Sequence, residues 1–399
     1  MNRQIPITLA ALAAFGTTLS LSQSTYDERQ LAVKRRFAEN EIKALAEPFR
    51  GVTTPSGVEP GLFEVGPTGV STEPIRTRAT GFLDSLSGEQ RIRTQFAIDA
   101  PEWRRWSNVD NGIYVRQGVS LEEMTADQSD AAWDLLRASL SRKGVELSRN
   151  IMKTDQTLLE LNNDTLSFGE KKYFFTIMGL PSPREPWGWQ LDGHHLVINY
   201  FVLGDQVVMS PVFLGGEPVI TDSGKYTGNT ILQQEQDQGL RLLRTLSDEH
   251  RSDAILHPDK TINNIVAEAN SDNVLVDYAG VRVSELPSGQ QRRLLGLVGL
   301  FVGSLRDDHA QVRMAEIERH LDETYFAWIG GSNDDAVFYY RIHSPVILIE
   351  FDHQRPVGTR HLRAPEEPTR QHIHVVVRTP NGNDYGKDLL RQHLEAHPH

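Results

Sequence analysis

The stretch Trp189-Gln190-Leu191 through Val197-Ile198-Asn199-Tyr200 is matched further along the chain by Tyr340-Arg341-Ile342 through Leu348-Ile349-Glu350-Phe351, and both copies read as strands. Outward from this pair the matches continue in one order. Tyr173-Phe174-Phe175-Thr176-Ile177 meets Tyr325-Phe326-Ala327-Trp328-Ile329, and Val207-Val208-Met209 meets Val375-Val376-Val377. Upstream, Gly118-Val119-Ser120-Leu121 aligns with Gly280-Val281-Arg282-Val283. In the same register Met124 meets Leu286, Gln128 meets Gln290, and Leu135-Leu136 meets Leu297-Val298. The helix entry Ser85-Leu86-Ser87 answers Thr245-Leu246-Ser247, and Gly239 to Arg244 answers Gly386 to Arg391 on a closing helix. Generic amphipathic segments coincide singly by chance, but five matched elements in one order point to an internal duplication. The expected fold is α+β, with two pseudo-symmetric halves, 80–247 and 248–399. Each half reads as helices packed on an antiparallel sheet of three strands. Residues 25–79 precede them as an N-terminal helix and a connector. The helix spans about 26–47, with Leu31, Phe37, Ile42 and Leu45 as its apolar positions, and it stops before Pro48.

The chain has 399 residues, 39% of them hydrophobic and 24% charged, which excludes a disordered or low-complexity protein. A net charge of −12 argues against nucleic-acid partners and against docking on anionic lipid, since both need a basic surface. Residues 1–24 read as a signal peptide: Arg3 leads an apolar run from Ile7 to Leu21, and Ser22-Gln23-Ser24 offers small residues for cleavage. That run, of about 15 residues, is short for a membrane span, and no later segment qualifies as an integral span. An extracytoplasmic protein, periplasmic or secreted, is therefore expected. Cysteine is absent, which excludes disulfides, thiolate-ligated metal and thiol nucleophiles together.

Residues present in only one half are the first candidates for function. Eight of the 14 histidines fall between Arg341 and His399. His372-Ile373-His374 lies on a strand, whose geometry sends residues i and i+2 to one face. If the preceding strand, Val346 to Phe351, pairs with it, Glu350 becomes their neighbour. Two imidazoles and a carboxylate form a ligand set for a divalent metal, zinc, iron or copper. The first half has Asn199 at the place of Glu350 and no His-x-His. Gly193-His194-His195 sits on the middle strand of the first half, where only one of the two histidines would enter a site unless the strand bulges. The connection from Asp352 to Gln371 is long and basic, carrying His353, Arg355, Arg360, His361 and Arg363. It reads either as a lid for an anionic group or as a solvated excursion. Arg341 and His343 share a strand face, and Arg341 would bind a carboxylate or pair with Glu350. Asn383-Asp384 reads first as a helix N-cap. Trp103, Trp106, Trp187 and Trp189 read as packed turns rather than a sugar platform. Gly-x-Ser-x-Gly, His-Glu-x-x-His, Walker and dinucleotide motifs are absent from the sequence.

These motifs together, Trp187 to His195, Tyr339-Tyr340-Arg341-Ile342-His343, Ile349-Glu350-Phe351-Asp352, His372-Ile373-His374 and Asn383-Asp384-Tyr385-Gly386, resemble the domain-of-unknown-function family numbered 3500. The resemblance runs from about Leu31 onward. Its motif positions fall on Gly193, His194, His195, Asn199, Tyr340, Arg341, Glu350, Asp352, His372, His374, Asp384 and Gly386. His353 stands where that family tends to have Asn. The resemblance implies an exported, uncharacterised protein and supplies no activity. The residues suggest a metal-dependent enzyme acting on a small, anionic substrate. In that reading His372, His374 and Glu350 bind metal, His194 or His195 adds a ligand or carries a proton, Arg341 orients the substrate, and Asp384 or Asp352 serves as base or supports a ligand from behind. Zinc would favour hydrolysis, and iron or copper oxidation. A non-catalytic protein with a small-ligand cleft between duplicated halves is the alternative.

Overall fold

In the computed structural model, residues 26, 28–364 and 366–397 are described; the signal-like residues 1–24 lie outside them. Among the described residues ten α-helices flank one mixed sheet of twelve strands. The N-terminal helix is α1 (Glu28–Ala46). Then come α2 (Glu73–Ser85), α3 (Gly88–Thr94), β1 (Gln95–Phe96), β2 (Val119–Ser120), α4 (Ala126–Ser139) and α5 (Arg142–Asn162). Four antiparallel strands follow, β3 (Tyr173–Met178), β4 (Trp187–Gly193), β5 (Leu196–Leu203) and β6 (Gln206–Gly216). The order of types then recurs: α6 (Gln233–Thr245), α7 (Asp248–Ala254), β7 (Ile255–His257), β8 (Val281–Arg282), α8 (Ser288–Val302) and α9 (Asp307–Arg319). Last are β9 (Tyr325–Gly330), β10 (Phe338–His343), β11 (Leu348–His353), β12 (Ile373–Arg378) and α10 (Lys387–Ala396). No helix among the described residues is long and apolar enough to cross a membrane.

The strand order is β1-β3-β4-β5-β6-β12-β11-β10-β9-β7, with β2 on β3 and β8 on β9. Each half contributes four antiparallel strands, one more than the sequence suggested, and its sheet is mixed because β1 and β7 run parallel to β3 and β9. The halves do not own separate sheets: β6 and β12 are bonded neighbours, with His374 opposite Gly215 and Val377 opposite Val212. β4 and β5 are buried at every position, so both faces of the sheet are covered. β5 is apolar but for Asn199, as suits a strand covered on both faces, whereas the buried polar groups of β4 are paired, Gln190 Nε2 donating to Trp103 O and Asn199 Oδ1, and Asp192 meeting Arg116 at 3.3 Å.

Local sequence explains the helix starts. Ser87 and Gln90 close a capping box on α3, Thr125 and Gln128 close one on α4, and Ser247 accepts from the His250 amide at α7. Gly118 and Gly280 share one role. Both have positive φ, +88° and +93°, and a Cβ on either would lie 2.1 Å from a carbonyl oxygen, of Phe175 and Phe326 respectively. The turns α4–α5 and α8–α9 clasp each other reciprocally, the Ser141 amide donating to Ser304 O and the Arg306 amide to Ser139 O. Trp103, Trp106, Trp187 and Trp189 are buried packing groups, although Trp187 and Trp189 lie on β4 rather than in the turns the sequence suggested.

Candidate metal centre

His194 and His195 are not on a strand; they form the two-residue turn between β4 and β5. A turn frees them from the alternation that would send neighbouring strand residues to opposite faces. His195 takes φ +61°, and the two rings stack at 3.8 Å. His194 Nδ1 lies 2.6 Å from buried Asp155, whose other oxygen accepts the Gly169 amide. His195 turns the other way, into the end of the sheet, where the missing side chain of Gly215 leaves room for its ring.

There it meets His372 and His374, which share a face as their i, i+2 spacing predicts. His374 Nε2 lies 3.0 Å from His372 Nε2, and His195 Nε2 lies 3.3 Å from the same atom. All three side chains are buried, and one nitrogen from each lies within 4.8 Å of the others. The outer nitrogens of His372 and His374 have partners, whereas His195 Nδ1 has none among the described residues. His372 Nδ1 is 2.7 Å from the Arg355 carbonyl and 3.4 Å from Glu217, and His374 Nδ1 is 2.7 Å from Glu268. The Arg355 carbonyl only accepts, and so does Glu268 in its ionised form, so that with Glu268 ionised Nδ1 carries the proton and each Nε2 offers a lone pair. Lone pairs aimed at each other across 3.0 Å repel unless a cation lies between them. Zinc–nitrogen bonds of about 2.0–2.1 Å in tetrahedral geometry require nitrogens roughly 3.3 Å apart, close to both distances. The donor set therefore fits a divalent ion such as zinc, iron or copper.

Burial holds the imidazoles neutral. It takes His372 down to about 4, despite Glu217, and His374 to about 3, and it pushes His195 well below the ordinary range. Glu217 accepts amides of Val357, Gly358 and Thr359. Burial would raise this carboxyl, but His372, the Thr359 hydroxyl and those amides outweigh it and hold it low. Glu268 stays 30% exposed in a recess, where desolvation lifts it to about 7.

The carboxylates beside the histidines are thus Glu217 and Glu268. Glu350 shares their sheet face but lies one ladder step beyond His374, opposite Val376. Its oxygens accept the Val266 and Ala267 amides and the Tyr339 hydroxyl. Asp352, opposite His374, accepts the Asn264 amide and Gln354 Nε2 and pairs with buried Lys260 at 2.8 Å. Burial raises both, Glu350 to about 7 and Asp352 to about 6. Arg378, further along that face, donates to the Ala267 and Glu268 carbonyls and pairs with Asp272 and Asp384. Asp384 is engaged there and by the Ser210 hydroxyl, and the N-cap expected of Asn383-Asp384 is not formed: Gly386 stands at the N-cap of α10 with no side-chain cap, while Asn383 Oδ1 accepts the Leu389 amide at 3.4 Å. Arg341 lies opposite Glu350, two strands from β12, and donates to Asp277 O. Glu350, Asp352 and Arg378 therefore grip the 264–268 segment, and that segment delivers Glu268 to His374. Nothing in the local sequence marks Glu268. Glu217 has one cue, its place just after the Gly215-Gly216 pair.

A mixed α+β fold with a buried three-imidazole centre at one end of its sheet defines the class of this protein. The chain matches, over residues 68–387, the family described as protein of unknown function DUF3500, and it belongs to that family. No curated protein and no solved structure matches it.

Proposed function

We propose that this protein is a metal-dependent enzyme in which His195, His372 and His374 hold a divalent zinc, iron or copper ion. One observation carries the reading: three buried imidazoles converge while the outer nitrogens of His372 and His374 are already committed to acceptors. Such second contacts orient metal-binding histidines and raise their basicity. Three neutral ligands would leave an ion its full charge and an open position, where it supplies Lewis acidity and an acidified water. Zinc accords with hydrolysis, iron or copper with oxidation. Glu217 and the Arg355 carbonyl set the His372 ring, and Glu268 sets His374. Arg355 and exposed Arg360 and His361, on the β11–β12 connection, favour a small anionic substrate. Asp352, Asp384 and Arg341 act as positioning residues in this reading.

Two further proposals accompany it. The apolar run of residues 7–21 favours export to the periplasm or medium. The paired Gly118 and Gly280, the reciprocal turn contacts and the parallel placing of β1 and β7 favour an internal duplication.

The deciding experiment measures metal content by mass spectrometry on untagged protein and on a His372→Ala/His374→Ala variant. Close to one ion per chain, lost in a variant that keeps its circular dichroism, is expected, and the ion found separates hydrolysis from oxidation. Protein that is metal-free and takes up neither zinc, iron nor copper would overturn the reading in favour of a non-catalytic ligand-binding protein.

A further inference from the structure

Two segments far apart in sequence flank the histidine centre, and each is fastened to a different imidazole. Residues 355–359 hang on His372. Its Nδ1 lies 2.7 Å from the Arg355 carbonyl and 3.4 Å from Glu217, whose carboxylate accepts the amides of Val357, Gly358 and Thr359. Residues 261–268 end on His374, through Glu268 at 2.7 Å from its Nδ1. Arg355 ties the two segments together, its amide donating to Asn263 Oδ1 and its Nη2 to Thr261 O. The contacts close into a ring that passes through both imidazoles, and the ring stays closed only while His372 and His374 keep their orientation.

That orientation sets the inner Nε2 atoms 3.0 Å apart, and with Glu268 ionised both offer lone pairs. A cation between them removes the repulsion and polarises each Nδ1–H, which strengthens its bond to the acceptor behind it. Without a cation the rings are driven apart, and a His372 ring that turns takes its proton away from the Arg355 carbonyl and from Glu217. Asn162 Nδ2 still reaches Gly358 O from α5. Beyond Thr359, however, Arg360, His361 and Leu362 are exposed, and the Leu362 amide donates back to Thr359 O within the same turn.

We infer that residues 355–363 form a metal-dependent strap beside the centre, fastened when an ion sits on the histidines and released when it leaves. This rests on the metal reading above. Limited trypsin digestion with mass spectrometry of the fragments tests it, on the full chain stripped by a chelator and on the same chain reloaded with whichever of zinc, iron or copper it retains. Trypsin cuts after Arg360 and Arg363, whereas Pro356 protects the bond after Arg355. The ion should slow cutting at both sites at least tenfold. Cutting after Arg184, exposed in the β3–β4 connection at the other end of the strands, should stay within twofold. Glu217→Gln, which cannot accept all three amides, should be cut quickly with or without the ion. Asn263→Ala, a change at an exposed side chain that leaves the histidine contacts in place, should speed cutting of the loaded chain at least threefold. Equal cutting of loaded and stripped protein, or slowing of the same size at Arg184, would overturn this inference and leave the metal centre standing. A chain that takes up neither zinc, iron nor copper would overturn both.

Discussion

Glu268 does for His374 what Glu217 and the Arg355 carbonyl do for His372: it holds the proton on the outer nitrogen so that the inner one faces the centre. Outer contacts of this kind are worth about 10–100-fold in metal affinity. Glu268→Gln, measured by competition with a chromophoric chelator, should lose affinity in that range while the metal-free protein melts as before. Buried histidines outside the centre give a separate test of the electrostatics. His343 packs against Tyr278 with its Nδ1 unpartnered, and burial takes it down to about 3. Because the unfolded chain binds a proton near pH 6.5 and the folded chain does not, this residue lowers stability progressively as pH falls from about 6.5 toward 3. His343→Phe should therefore match the parent to within about 1 kcal/mol at pH 7.5. At pH 4.5 it should be the more stable protein in urea titrations. A difference that does not change with pH would contradict the assignment.

At the level of elements, β11 and β12 use one sheet face as a clamp. Glu350, Asp352 and Arg378 take hold of amides and carbonyls between Asn264 and Glu268, and a buried ion-pair network of Arg378, Asp272, Asp384 and Arg104 closes the far side. Removing one member strands its partners, so Arg378→Met should cost about 3–5 kcal/mol of folding stability in chemical denaturation. The glycine turns before β2 and β8 make a matched pair of probes. Gly118→Ala and Gly280→Ala each push a methyl into a backbone carbonyl at positive φ, and each should destabilise by roughly 2–4 kcal/mol. A large effect at one and none at the other would show that the two turns do not carry the same structural role.

The whole molecule is tied together by the β6–β12 pairing, which joins the four-stranded blocks through main-chain bonds, and by a shared core and side-chain bonds such as Arg104–Asp272 and Ser210–Asp384. Such a sheet should unfold as one unit. Tryptophan fluorescence and far-ultraviolet circular dichroism should give coincident urea transitions; two separated transitions would mean that the blocks fold independently. The same pairing creates the centre, since His195 comes from a hairpin of the first half, and His374 from the last strand of the second with His372 just before it. Neither half contains it.

Sequence alone determined what is periodic and local. The alternating helices and strands, the Ser and Thr caps, the matched Gly118 and Gly280, the shared face of His372 and His374 and the family all follow from residue type and short-range spacing. Tertiary structure decided which carboxylates stand beside the imidazoles. Glu350 was the expected neighbour because it is near in the ladder, yet its oxygens are saturated by amides of a loop more than 80 residues away in sequence, and that loop carries Glu268 to the place Glu350 was expected to fill. It also decided that His195, freed by a two-residue turn from strand alternation, completes the group. Register and turn geometry are set by long-range pairing, and a local pattern of residues has no means of encoding where a distant loop will land.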